Sequence, residues 1–95
     1  MRLRGKVDAN QPAIVKALRA VGASVTSLAD LGDGCPDLLV GFRGRTVLME
    51  LKASLQDTLT TQEIDWHCRW RGSALCVVRS VEEAIGAVGL TETKE

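Results

Sequence analysis

The chain has 95 residues, of which 45% are apolar and 25% are charged, and its formal net charge is zero. This length suits one domain over residues 1–95, and the neutral balance excludes a strongly basic surface that would coat nucleic acid. No apolar run approaches the ~20 residues that span a bilayer, and no charged-then-apolar leader opens the chain. We therefore expect a cytoplasmic protein.

The three cysteines, Cys35, Cys68 and Cys76, lie at irregular spacings. An odd number without paired spacing argues against a disulfide framework and fits a reducing compartment. With His67 they form neither a CxxC nor an HxxxH pattern, so no zinc site is predicted. We interpret Cys68 and Cys76 as small core residues.

One helix and one short strand are predicted before the first glycine-rich loop. Asn10 is a candidate helix cap, and Pro12 falls in the first turn, where its missing N–H costs little. Apolar residues recur at three- and four-residue spacing from Ile14 to Val21, which predicts one buried helical face, and Gly22 is a suitable stop. Residues 24–28 are rich in β-formers and predict the first strand.

Two apolar runs, residues 37–42 and 45–52, predict a β-hairpin. If Arg43 and Gly44 form a two-residue turn, the numbers of paired residues sum to 87. Both faces of this hairpin are apolar, as expected of central strands that helices cover on both sides.

The second half of the chain contains two capping-box patterns, at residues 60–63 and 80–83. They predict a helix from about Thr61 to Arg71 and another that ends near Val88. Residues 74–78 form an apolar run between them and predict the last strand.

The resulting element order is αβββαβα, without internal repeats or linkers. It predicts a small α/β sandwich in which helices flank a central mixed sheet. Residues 1–8 are expected to form a flexible arm, and residues 90–95 a frayed tail.

The ends of the hairpin carry charged side chains. Side chains two apart on a strand share a face, so Glu50 and Lys52 lie together, and the predicted register sets Asp37 opposite Glu50 at ~4.5–5.5 Å between Cβ atoms. Two carboxylates this close at the edge of an apolar core repel, and a divalent cation between them removes the penalty. Oxygen ligands of this kind suit Mg²⁺ or Mn²⁺, with the Leu51 carbonyl as a further ligand. The chemistry indicated is metal-assisted phosphodiester hydrolysis, in which Lys52 orients water or stabilises charge.

Pro36-Asp37 followed by Glu50-Leu51-Lys52 resembles the PD-(D/E)XK nuclease superfamily, and the whole run is similar to the stand-alone VRR-NUC domains found in phages. The resemblance extends from Asp8 to about Val88. It includes the glycine-rich loop before Pro36, the Leu59-Thr60-Thr61-Gln62 segment and the run from Val77 to Ala84. It implies a restriction-endonuclease-like fold and Mg²⁺- or Mn²⁺-dependent DNA cleavage. The minimal members are similar to Holliday-junction resolvases that act as homodimers on branched DNA.

The resemblance also implies roles for individual residues. Asp37 and Glu50 would be metal ligands, and Lys52 the catalytic lysine. Gln62 matches a glutamine that opens the following helix, and it would either lie near the site or serve as an ordinary helix-start residue. The family usually places a further acid in the first helix, where this chain offers Asp8 or Gln11 and neither is a clear match.

Two further features of the second predicted helix are open to interpretation. Trp66 and Trp70 lie one turn apart, so they could stack on bases, and we interpret at least one as a core or dimer contact. His67 is interpreted as a helix-surface or partner contact rather than as a general base.

The leading hypothesis is a metal-dependent DNA endonuclease, a homodimer selective for branched DNA in a bacterium or a phage-infected cell. An alternative is a catalytically weak or inactive DNA-binding or assembly module on the same fold. A third possibility is an RNA nuclease.

Overall fold

The computed structural model describes residues 9–89 and shows a four-stranded sheet with three helices. The elements, in chain order, are α1 (Gln11–Ala20), β1 (Ser24–Ser27), β2 (Leu38–Phe42), β3 (Arg45–Leu51), α2 (Thr61–Arg69), β4 (Ala74–Val78) and α3 (Val81–Ala87). The predicted order and α/β class are therefore confirmed. The predicted arm at residues 1–8 and tail at residues 90–95 lie outside the described residues. None of the helices within residues 9–89 has the length and apolar character that crossing a bilayer requires.

The hairpin has the predicted register. Leu38 pairs with Met49, and Phe42 pairs with Arg45, so the residue numbers sum to 87. Both turn residues have positive φ, 51° at Arg43 and 78° at Gly44, as a type I′ turn requires. This turn matches the twist of the strands and thereby fixes which side chains face one another at the far end of the hairpin.

The helix starts of α2 and α3 follow the capping patterns. The Thr60 hydroxyl accepts the backbone N–H of Glu63, whose carboxylate accepts the N–H of Thr60. At α3 only half of the predicted box forms. Ser80 accepts the N–H of Glu83, but the Glu83 carboxylate accepts the N–H of Arg79 rather than that of Ser80. α2 ends at Arg69, two residues before the predicted end, because Trp70 has an extended backbone.

The start of α1 differs from the prediction. The side chain of Asn10 does not cap the helix. Its amide instead donates to the carbonyls of Lys52 at 3.3 Å and Arg79 at 3.4 Å. The predicted capping role was wrong because Asn10 has an αR backbone, with φ −85° and ψ −4°, rather than the extended backbone of a cap residue. Its amide instead joins α1 to the ends of β3 and β4.

The strands form one mixed sheet in the order β1-β2-β3-β4, antiparallel except for the β3–β4 pair. Alternate residues of β2 and β3 face α1 and α3 and form the core. Its largest members, all fully buried, are Ile14, Leu18, Leu38, Val40, Met49, Leu51 and Val78. At ~25 cal/mol per Å² of buried apolar surface, this face is the main source of the stability of the fold.

The opposite face of the sheet is covered only in part. The nine-residue helix α2 has no buried residue, and Leu39 on β2 remains 39% exposed. The prediction that helices cover both faces of the hairpin was therefore only partly right. α2 reaches the sheet at one end, where Glu63 and His67 contact Lys52 and Glu50.

The position of α2 depends on a close approach at Gly34. A Cβ at this residue would overlap the backbone carbonyl of Gln62, and its φ is +85°. Gly32 also has positive φ, +69°, but has open space around it. A side chain at Gly32 would therefore introduce backbone strain alone, whereas a side chain at Gly34 would introduce both backbone strain and a steric overlap.

We predict that Gly34→Ala destabilises the protein more than Gly32→Ala. A left-handed alanine costs about 1–2 kcal/mol at either position, and only Gly34→Ala adds the displacement of α2. Urea unfolding of the two variants measures the difference. Equal losses would show that the overlap at Gly34 is relieved without cost.

Candidate active site

A cleft of about 620 Å³ lies at the open end of the hairpin. The loop after β3 and the first turn of α2 form its other walls. Its polar lining comes from residues far apart in sequence that the fold brings together. They are Asp37, Glu50, Lys52, Asp57, Thr58, Thr60 and Glu63. The structure thus places Asp37, Glu50 and Lys52, which the sequence predicted as a cluster, in one cleft.

The centre of the cleft is a pair of acids. Glu50 is only 2% exposed, and Asp37 Oδ2 accepts the backbone N–H of Leu51 at 2.7 Å. Burial, and then the neighbouring charge of Asp37, raise the pKa of Glu50 to about 9. Burial also raises the pKa of Asp37, although the Leu51 N–H acts in the opposite direction. Both shifts show that the site holds two negative charges poorly on its own.

Lys52 lies between the acid pair and α2. Its Nζ is 2.9 Å from Glu63 Oε1 and 4.0 Å from Glu50 Oε2. Burial by itself would raise the pKa of Glu63, but the Lys52 ammonium and the Thr60 N–H together lower it. Glu63 was expected only as a capping residue. The sequence signal for a second role was weak, since any capping-box acid lies at the start of a helix whether or not a site is near.

The Leu51 carbonyl, predicted as a further metal ligand, lies on the Asp37 side of β3. The Lys52 N–H donates to the Val78 carbonyl across the parallel pair at 3.0 Å. Successive strand residues direct their backbone groups to opposite sides, so Leu51 turns its own N–H and carbonyl towards β2. Pro36 on that side has no N–H to offer the carbonyl.

The other predicted site residues lie elsewhere. Gln62 is exposed at the start of α2 and is not among the residues that line the cleft. Gln11 is buried but faces Ser27, to whose hydroxyl it donates at 3.4 Å, beside a separate cavity between α1 and β1. Asp8 falls outside residues 9–89. In the described part of the chain, Ala9 is the residue nearest α1 that lines the cleft.

His67 lies on the inner side of α2, against Glu50. Its Nε2 is 3.5 Å from Glu50 Oε1, and its side chain is 15% exposed. The interpretation as a helix-surface residue was therefore wrong. Burial, and further the Lys52 charge, lower the pKa of His67 despite the opposing effect of Glu63.

Trp66 on α2 and Trp70 directly after the helix stack on each other. Their ring centroids are 5.0 Å apart at an interplanar angle of 16°. Trp66 is half-buried and Trp70 is 36% exposed. Neither side chain belongs to the buried core, so of the predicted core or dimer contact only the dimer alternative stays open as a prediction.

The donor set fits a hard divalent cation. Among the described residues, no three His, Cys, Asp or Glu side chains converge as a ready-made metal cage. Two carboxylates with a nearby carbonyl instead resemble the sparse protein ligation of Mg²⁺, which keeps several waters. The raised pKa of both acids reflects the cost of ionising two neighbouring carboxyl groups away from water. A bound divalent cation would remove that cost.

One solved structure, described as a "VRR_NUC domain", is similar to this chain. The TM-score is 0.68 at 25% sequence identity, and the match covers 90% of this chain and 100% of that one. No protein-family model and no curated protein matches the chain. The backbone similarity confirms the resemblance and the fold class that the sequence predicted.

We predict that the metal-free wild type loses stability relative to Glu50→Gln as pH rises from about 5 to about 9. The pKa of Glu50 in the folded state, about 9, exceeds the ~4.3 of an unfolded glutamate. Between these two pH values the folded state keeps a proton on Glu50 that the unfolded state has lost. The free energy of unfolding therefore falls as pH rises through this range. Urea unfolding in excess chelator at pH 5, 7 and 9 measures the difference.

The matched control for this prediction is Glu82→Gln, at an exposed acid on α3. Its stability should follow that of the wild type at each pH. A constant gap between wild type and Glu50→Gln across this pH range would contradict the raised pKa.

Proposed function

Since the chain has the fold of a VRR-NUC domain, of the PD-(D/E)XK nuclease type, we propose that it is a metal-dependent endonuclease that hydrolyses phosphodiester bonds in DNA. The observation that supports this most directly is the cleft in which Asp37, Glu50 and Lys52 meet. A buried acid next to a half-buried one, both with a raised pKa and both beside a lysine, is typical of a functional site. DNA is the substrate that a nuclease domain implies.

Asp37 and Glu50 would hold a Mg²⁺ or Mn²⁺ ion, with the Leu51 carbonyl as an additional ligand. When bound, the ion supplies Lewis acidity at a phosphoryl oxygen and lowers the pKa of a coordinated water. The Leu51 N–H keeps Asp37 in place through its 2.7 Å hydrogen bond to Oδ2. Asp8 remains a candidate for the acid that the first helix usually supplies, and Gln62 remains a candidate contact near the site.

Lys52 is the cation that the protein itself contributes. Its ammonium can donate to a phosphate oxygen and stabilise the charge that develops during attack. Glu63 holds the Nζ at 2.9 Å, and the Asn10 amide holds the carbonyl of the same residue at 3.3 Å. Both ends of Lys52 are therefore fixed before substrate arrives, which reduces the reorganisation that the reaction requires.

We further propose a homodimer that is selective for branched DNA, with α2 at the subunit contact. α2 has no buried residue and exposes Ile64 to 50%, and Trp70, directly after the helix, is 36% exposed. Large exposed apolar side chains on a poorly covered helix favour a protein contact. Two cleft-bearing subunits related by a two-fold axis would cut two strands symmetrically.

We predict that the wild type cuts DNA in Mg²⁺ or Mn²⁺ and that Glu50→Gln does not, because the variant loses a charged ligand. Lys52→Ala should reduce the rate about 10²- to 10³-fold, the usual loss when one group that stabilises the transition state is removed. Single-turnover cleavage of four-way junction, flap, duplex and single-stranded DNA measures both effects, and junctions should be cut fastest. RNA competitors test the third hypothesis.

The exposed-acid variant Glu82→Gln serves as the control and should cut like the wild type. Equal cutting by wild type and Glu50→Gln would disprove the site. DNA binding without cleavage, and without Mn²⁺ binding by calorimetry at millimolar metal, would favour the inactive-module alternative.

We predict that Ile64→Asp weakens the dimer, because it places a charge at the proposed apolar contact. Sedimentation velocity should show a dimer for the wild type and a larger monomer fraction for the variant. Leu55→Asp, at a 79% exposed loop residue outside α2, is the matched control and should remain dimeric. A wild type that is monomeric at tens of micromolar would contradict the proposal.

A further inference from the structure

Two buried polar atoms face each other behind the acid pair. Glu50 Oε1 and His67 Nε2 are 3.5 Å apart, and neither has a hydrogen-bond partner in the described structure. Buried polar atoms are almost always satisfied. A closure of about 0.5 Å would bring the pair to the usual N–H···O distance of ~3.0 Å.

The two oxygens of Glu50 have different surroundings. Oε2 is the oxygen that faces Lys52, at 4.0 Å. Oε1 faces His67, at 3.5 Å, and is buried without a hydrogen-bond partner. The side of Glu50 that meets Lys52 is therefore the Oε2 side, while Oε1 points to His67.

His67 lies behind Glu50 as seen from the cleft. It is not among the residues that line the cleft, whereas Glu50, Asp37 and Lys52 are. The ring edge is held by Trp66, with ring centroids 6.4 Å apart and an interplanar angle of 77°. A ring so placed can act on Glu50 but does not reach into the space where a substrate would bind.

We propose that His67 is a positioning residue that donates its Nε2–H to Glu50 Oε1 and thereby directs Oε2 towards the cleft. This hydrogen bond joins two side chains of the protein and does not depend on a bound metal. Its consequence, tighter binding of a divalent cation by a Glu50 carboxylate of fixed orientation, rests on the proposed function.

The tautomer of His67 tests the donation directly. His67 is the single histidine of the chain, so long-range ¹H–¹⁵N correlation of ¹⁵N-histidine-labelled protein gives signals of this ring alone. We expect the proton on Nε2 at pH 7, both in chelator and in saturating Mg²⁺. A neutral ring with its proton on Nδ1 would overturn the proposal, because Nε2 would then have nothing to donate.

Substitutions test the consequence for metal binding. The amide nitrogen of glutamine lies the same number of bonds from the backbone as His Nε2, so His67→Gln keeps a donor in place. His67→Leu and His67→Asn remove it, the second because its amide is one bond shorter. By calorimetry with Mn²⁺, we expect His67→Gln to stay within about threefold of wild type and the other two to bind about 10- to 100-fold more weakly.

Cys68→Ser, at an exposed neighbour on α2, is the control and should bind Mn²⁺ like the wild type. Unchanged affinity in folded His67→Leu and His67→Asn would overturn the positioning role. So would ¹⁴N couplings from the ring to bound Mn²⁺ in pulsed EPR, because His67 would then be a ligand. A wild type that binds no Mn²⁺ would overturn the proposed function, and the tautomer would still decide the donation.

Discussion

The burial of Glu50 beside Asp37 is the constraint on which the arrangement of the molecule depends. A hairpin with this register cannot separate the two acids, because a one-residue slip would turn its whole apolar set to the wrong face. The core on the α1 and α3 side thus fixes the pair at the end of the sheet. The apolar packing enforces an electrostatic conflict, and the raised pKa of both acids is the result.

The surroundings reduce this conflict without removing it. Leu51 gives its N–H to Asp37, Lys52 lies 4.0 Å from Glu50, and α2 brings His67 to the far oxygen. α2 can come this close because Gly34 has no Cβ under its first turn. A helix with no buried residue is thus placed mainly by polar contacts at the site. Its position and the state of the acid pair are coupled for that reason.

The elements and the meeting of Asp37 with Glu50 in one cleft could be predicted because both follow from local rules, namely continuous apolar runs, an Arg43-Gly44 turn and two capping-box patterns. The partners from other elements could not. Nothing local to Asn10 indicates that its amide binds carbonyls 42 and 69 residues away. Glu63 and His67 became site neighbours only through the angle at which α2 meets the sheet. Side chains at surface-like helical positions carry no sequence signal of such a contact, since periodicity reports apolar faces.

The cleft around the acid pair is strongly acidic, and this affects how a phosphate group could approach it. Four carboxylates and one ammonium line it, a formal charge of −3 if all are ionised, although the whole chain is neutral. A phosphate group that approaches this surface is repelled, and Lys52 alone cannot offset the repulsion because Glu63 already holds its ammonium. A divalent cation held there, as proposed, would reduce the formal charge to −1 and would place a positive centre beside an approaching phosphate. Binding of substrate and of cation would therefore be coupled in this cleft, each strengthening the other by the same factor.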